Sequence, residues 1–346
     1  MLLEGDLQPE KQARFSCCRR DGVSECHPVG SRRRHDDSPC LREVPYVPIP
    51  ESQLQVWAKV DTPTAAAATG RAIRDALEGP TSLVRDRAKS IYLQGSYKNT
   101  TNIHADSDVD VVVQLRQTWG YDVSTLSLTQ RAAFDRQLTP ATYLLGQFRG
   151  EVETTLKRAF PNLVEPGNKA IRVLKRPGLL HADVVPCQTY RHYKGSPSET
   201  HLPKPVEGMQ FYTVREKRQI VNWPRHHFDN GVAKHGRTGE YYKPTVRIFK
   251  NLRNRLYERG LPDTTAPSYF VECLLYNVPD NSFGRSYAMT VAQVLAWLYQ
   301  EYQAGRFENF VCGNGATRLF GTSPEQWDVS RAWRFVAACC EAWNKW

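Results

Sequence analysis

"YLQGSYKNTTNIHADSDVDVVVQL", residues 92–115, joins a Gly-Ser pair to an Asp-Val-Asp that opens a run of valines. "SIYLQGSY" predicts a short strand running into a Gly-Ser turn, and "DVDVVVQL" predicts the next strand from its β-branched content. Side chains alternate along a strand, so Asp108 and Asp110 share one face while Val109 and Val111 point into the core. Two carboxylates that close repel each other unless a positive charge sits between them. Such an oxygen-rich pair suits Mg²⁺, a hard cation that also takes phosphate oxygens. The plainer reading is a solvated edge strand, where acids discourage pairing with other chains.

Three features favour the cation site. Gly95 permits close backbone approach at the end of a strand, and the Ser96 hydroxyl with neighbouring N–H groups suits a terminal phosphate. "HADVVPC" supplies a second strand whose single acid, Asp183, stands among Val184, Val185 and Pro186. A bare buried carboxylate is costly, so that acid needs a partner or a metal. Lys250, in the basic helix "RIFKNLRNRL", would bring an ammonium to phosphates; its spacing fits a solvated helix face equally well. Three aspartates on adjacent strands can hold two Mg²⁺ roughly 3.5–4 Å apart, which activates an attacking hydroxyl and stabilises leaving pyrophosphate.

The rest of the 346-residue chain is long enough for two lobes. Residues 1–50 hold eight Lys/Arg and eight Asp/Glu, so the whole net charge of +10 lies in 51–346. A basic body suggests a polyanionic partner, nucleic acid or nucleoside triphosphates. No stretch reaches the length of a membrane span, and the start of the chain lacks the apolar run of a secretory signal. Nine cysteines without a regular framework predict reduced thiols. Zinc held by Cys17, Cys26, His27 and Cys40 is disfavoured, because no Cys-x-x-Cys pair is present. Walker Gly-x-x-x-x-Gly-Lys-Ser and Gly-x-Ser-x-Gly patterns are also missing, which argues against P-loop and serine-hydrolase chemistry.

Residues 1–44 have no period and predict a disordered extension. A first helix follows, interrupted at "DTPT" and resumed through "AAAATGRAIRDALEG"; residues 127–160 predict a long helical segment. "KAIRVLKRPGLLHADVVPCQTY" predicts two strands joined at "KRPG"; a loop rich in Pro and His follows, and from "YYKPTV" the pattern is helical to the end. Strands first and helices later predict an α+β fold, with lobes at 45–215 and 216–346.

The Gly-Ser pair, Asp108-Val109-Asp110 and the later Asp183 resemble the DNA polymerase β-like nucleotidyltransferase superfamily. "YYKPTVRIFKNLRN", "PSYFVECLLYNVP" and "LFGTSPEQW" are similar to the bacterial cGAS/DncV-like nucleotidyltransferases (CD-NTases), which make cyclic oligonucleotides in CBASS antiphage signalling. The resemblance covers about residues 45–346. It implies a polymerase β-like nucleotidyltransferase core, a mixed sheet with helices, plus a helical C-terminal lobe closing over nucleotides.

By the same resemblance Asp108, Asp110 and Asp183 are the metal ligands, with Asp183 also orienting or deprotonating the attacking ribose hydroxyl. Gly95 and Ser96 form the triphosphate turn, and Lys250 contacts phosphates. Ser268 touches phosphate while Tyr269 stacks on a base; alternatively Ser268 only starts a helix and Tyr269 is core. Asn222 or Asn230 would read a base edge, or serve as turn residues. His226 and His227 are read as surface or structural. The implied cofactor is Mg²⁺, two ions, with Mn²⁺ as an alternative. The implied substrates are ATP with UTP or GTP, and the cyclic product acts on a downstream effector. The implied protein is a cytoplasmic monomer needing neither nucleic acid nor membrane. Addition of one nucleotide to RNA, a small molecule or a protein is the rival activity.

Overall fold

The computed structural model describes residues 48–60, 64–103, 108–195 and 201–346. The expected extension at 1–44 and the disfavoured zinc set (Cys17, Cys26, His27, Cys40) lie outside the described residues.

A seven-stranded mixed sheet organises the first half: β1 (Lys89–Leu93), β2 (Val109–Asp122), β3 (Val164–Pro166), β4 (Ile171–Val173), β5 (Ala182–His192), β6 (Val206–Tyr212) and β7 (Gln219–Asn222). Its main path runs β1-β2-β5-β4-β3. β2 and β5 pair in parallel, and every other pairing is antiparallel. The free edge of β5 is shared, β4 taking its first residues and β6 its last.

The β2 valines split by parity, as an alternating strand requires. Val109, Val111 and Val113 pack with α2 (Thr64–Glu78) and α5 (Leu145–Ala159), contributing Ile73, Phe148, Val152 and Leu156 to one core. Val112 joins Val185, Cys187, Met209, Phe211 and Ile220 in a second core on the opposite face. Asp110 has the parity of Val112, so it emerges on the face that α2 and α5 leave open.

Residues 127–160 form two helices rather than one. α4 (Leu128–Asp135) starts in a reciprocal Ser127–Gln130 capping box, and α5 begins only at Leu145. Pro140 stands in the break, where its missing N–H and fixed φ would disrupt a continuous helix.

The helical lobe is built from α6 (Pro224–Arg237), α7 (Tyr242–Glu258), α8 (Ser268–Tyr276), α9 (Tyr287–Gln303) and α10 (Val329–Asn344). The first helix, α1 (Glu51–Ala58), packs here against α7 and α9, far from its sequence neighbours. Asn251 donates to the Trp57 carbonyl at 3.2 Å and Arg247 to the Ala58 carbonyl at 2.6 Å. The Glu51 carboxylate accepts the backbone N–H groups of Tyr287 and Ala288 (3.0 and 2.7 Å), satisfying otherwise unpaired donors at the start of α9. The expected division at 215/216 therefore differs from the structure twice: α1 sits in the helical lobe, and β7 extends the sheet to Asn222. Neither α1's docking partner nor the pairing of β7 is visible in local sequence pattern.

Candidate active site

The sheet presents its acids at the strand starts. Asp110 and Asp183 are direct neighbours in the parallel β2–β5 register, so both point to the same face. Asp108 lies one residue before β2, and its carboxylate pairs with Arg172 of β4 at 2.9 Å. Burial, followed by the negative charges of Asp183, Asp108 and Glu272, pushes the Asp110 carboxyl up to about 7. Asp183 is raised as well, by burial and then by Asp108, with Arg172 and His181 opposing. These acids are in electrostatic conflict.

Gly95 closes the turn against them. Its φ is +70°, and a Cβ built there would stand 2.1 Å from Asp110 Oδ2. Only glycine fits this contact, because both the left-handed backbone and the missing side chain are needed. Gly95 and Ser96 begin α3 (Gly95–Asn99), and the Gln94 N–H donates to the Asp110 carbonyl at 3.0 Å.

A cavity of about 1000 Å³ opens beside this turn. Its walls include Gly95, Ser96 and Asp110 from the sheet side, Asn222 at the end of β7, His227 and Phe228 of α6, and Ser268, Tyr269 and Glu272 of α8. Arg74, Lys98, Arg116 and Arg225 give it a basic lining. Lys98 Nζ sits 4.4 Å over the Phe228 ring, where the cation gains from the ring's negative face. Asp108, Asp183 and Lys250 are outside the lining set.

Lys250 requires correction. It is 1% exposed, donates to Glu272 at 2.5 Å and to the Thr101 carbonyl at 3.0 Å, and has no path to a phosphate. Glu272, 4% exposed, also accepts from Thr101 Oγ1 at 2.6 Å and Asn99 Nδ2 at 3.2 Å, and contacts His227 Nε2 at 3.1 Å. One buried carboxylate thus ties α7, α6, the end of α3 and the segment after it to α8. Ser268 is the first residue of α8, after Pro267, and faces the cavity. Tyr269 is 43% exposed and stacks obliquely on His227 (ring centroids 5.2 Å apart), so it is not core. Asn230 instead donates to the Gly313 carbonyl at 3.1 Å, which holds a loop.

The helical lobe matches the family model for the cGAS/DncV-like nucleotidyltransferase C-terminal helical domain over residues 229–344. Along nearly the whole fold, the chain is 41% identical to the cyclic UMP-AMP synthase of Rhodothermus marinus, covering 87% of this chain and 99% of that one. The cyclic nucleotide synthase CdnE01 of Staphylococcus haemolyticus is 36% identical, over 86% and 99% of the two chains. The solved structure of the R. marinus CdnE c-UMP-AMP synthase with Apcpp and Upnpp superposes with a TM-score of 0.78 at 41% identity, covering 86% of this chain and 98% of that one. The Elizabethkingia meningoseptica CdnE cyclic dinucleotide synthase with GTP and Apcpp gives 0.69 at 29% identity, over 85% and 98%.

The chain belongs to the cGAS/DncV-like nucleotidyltransferases.

It is therefore an enzyme, a nucleotidyltransferase of α+β fold. The family's need for divalent cations can be tested on the residues present. Three carboxylates with no nitrogen or sulfur donor form the oxygen set that Mg²⁺ or Mn²⁺ prefers. The raised Asp110 carboxyl marks a place where added positive charge is stabilising. Among the described residues no group of three His, Cys, Asp or Glu side chains is closed to metal-binding spacing. Asp108 is turned to Arg172, a pair about 40% exposed on both sides, which water already weakens. The donor chemistry fits a hard cation, while Asp108 is held by Arg172 in this arrangement.

Glu272 was missed in the sequence. A lone acid in the apolar helix "SYFVECLLY" carried the signal that drew attention to Asp183. Arg74, Arg116 and Arg225 were missed because nothing local marks an arginine as cavity-facing.

Proposed function

We propose that this nucleotidyltransferase joins nucleoside triphosphates into a cyclic di- or oligonucleotide, a second messenger of CBASS antiphage defence. The observation that carries this reading is the register of Asp110 with Asp183 beside the Gly95 turn, with Gly95 and Asp110 on the wall of a basic cavity large enough for nucleotides. Identity across almost the full length of cyclic nucleotide synthases supports it. ATP and UTP, which would supply the AMP and UMP named in the R. marinus enzyme's product, are the first substrates to try, with GTP alongside.

Asp108, Asp110 and Asp183 would hold two Mg²⁺, which supply charge neutralisation at the reacting phosphate and its leaving group. The protein's own residues align the reactants. The Ser96 hydroxyl and the backbone N–H groups of its turn hold the triphosphate of the donor nucleotide, and Ser268 contacts a phosphate from α8. Tyr269 stacks on a base, its ring braced by His227. Asn222 presents an amide that both donates and accepts to a base edge. Asp183 takes the proton of the acceptor's ribose hydroxyl; that oxygen bonds to the α-phosphorus, and the bond to pyrophosphate breaks. The linear product re-seats and a second attack of the same kind closes the ring. Catalysis rests on alignment and electrostatic stabilisation. Lys98 and Arg225 on the wall favour polyanionic substrates.

Among the described residues no helix is long and apolar enough to cross a membrane. We place the enzyme in the cytoplasm, acting as a monomer without nucleic acid and signalling to an effector through its product.

Incubation of the purified protein with labelled ATP, UTP, GTP and CTP and Mg²⁺ tests this, followed by phosphatase treatment and mass spectrometry. A cyclic product resists phosphatase because it has no terminal phosphate. A product that phosphatase shortens would overturn ring closure and favour single-nucleotide transfer.

A further inference from the structure

Ser268 is assigned above to phosphate binding, and the structure holds its hydroxyl in one orientation from behind. Arg253, on α7, donates from Nη1 to Ser268 Oγ at 2.9 Å and to the Ala266 carbonyl at 3.2 Å. The rest of its fork is fixed as well: Nε and Nη2 donate to Asn254 Oδ1 at 3.1 and 2.8 Å. Arg253 as a whole is 8% exposed, and the Tyr257 ring lies 5.5 Å from its guanidinium carbon. Tyr257 closes the arrangement, its hydroxyl exchanging hydrogen bonds with Ala266 O and N at 3.1 and 3.2 Å.

The chemistry of this contact has a direction. A guanidinium has only donors, so Ser268 Oγ is the acceptor. One lone pair is thereby occupied, and the hydroxyl proton must point elsewhere. A serine inside a helix commonly returns that proton to the carbonyl four residues back. Ser268 is the first residue of α8 and has no helical carbonyl behind it. Its proton is left to the cavity, where an anionic oxygen is the acceptor that gains most. Arg253 also polarises the O–H, because withdrawing density from the oxygen makes its proton a better donor.

We propose that Arg253 is a positioning residue for nucleotide binding: it presets Ser268 as a hydrogen-bond donor toward the triphosphate without touching substrate itself. Arg253 is buried among protein atoms and does not line the cavity, so its effect on substrate must pass through Ser268. This inference rests on the phosphate-contact reading of Ser268.

The test is a double-mutant cycle with Ser268→Ala, Arg253→Met and the double variant, reading KM and kcat for the triphosphates together with melting temperature. Ser268→Ala is expected to raise KM about tenfold, as for loss of one hydrogen bond to a charged group. Arg253→Met is expected to raise KM about fivefold in the wild-type background and to add nothing once Ser268 is gone. Should Arg253→Met not fold, Arg253→Lys, which keeps the charge but loses the fork, takes its place in the cycle. Equal KM increases in both backgrounds would overturn the positioning role, since Arg253 would then act by another route. An unchanged KM in Ser268→Ala would instead overturn the phosphate reading of Ser268, and the role of Arg253 with it.

Discussion

Two acids on the wall of the same cavity, Glu272 buried and Asp110 half-buried, behave in opposite ways. Asp110 sits among Asp183, Asp108 and Glu272, and its carboxyl is pushed up to about 7. Glu272 is the more buried, and burial alone would raise it too. Lys250 and then His227 instead hold its carboxyl well below the usual range. The difference lies in partners. Glu272 is saturated by an ammonium, an imidazole, a hydroxyl and an amide, so it has no capacity left for a ligand. Asp110 faces like charge and leaves room for a cation. A saturated buried charge is structural, and an unsatisfied cluster is the place where chemistry is added.

This contrast breaks most easily at Glu272. Glu272→Ala strands Lys250 as an uncompensated buried charge and should destabilise the protein by about 3–5 kcal/mol. Adding Lys250→Met removes the stranded charge and should recover part of that loss. Urea denaturation of the single and double variants checks both. Equal stability of Glu272→Ala and wild type would remove the hub from the account.

A smaller effect of opposite sign is expected at Asp110. The folded protein binds this proton more tightly than the unfolded chain, since the carboxyl moves from 3.8 to about 7. The stability it contributes is therefore full below about pH 4 and is lost as pH rises to about 7. Without divalent cations, Asp110→Asn should melt several degrees above wild type at pH 8, and the gap should narrow at pH 5. Differential scanning calorimetry at the two pH values reads the sign directly; an Asn variant that melts lower at pH 8 would mean that Asp110 is satisfied.

Much of the sheet was legible because its signal is local. The valine run, the Gly-Ser turn and the lone acid in "HADVV" each identify a strand or turn within ten residues, and alternation then places Asp108 and Asp110 on one face. The parallel register of Asp110 with Asp183 joins positions 73 residues apart, and no local pattern carries it. Lys250 shows where local reading fails. Helical spacing assigns a residue to a face but does not say what covers that face, and here Glu272 does. The seating of α1 on α7 and α9 was invisible for the same reason, as its partners lie nearly two hundred residues onward. Pro140 was in plain view, and its cost to a helix was enough to divide 127–160 in two.

Manganese binding followed by electron paramagnetic resonance tests the cation site most directly, on wild type, Asp110→Asn and Asp183→Asn. The expected result is that wild type takes up Mn²⁺ and each single Asn variant, still folded, loses most of it. Undiminished Mn²⁺ binding in Asp183→Asn would contradict a shared site, because the second strand would then contribute nothing to holding the ion.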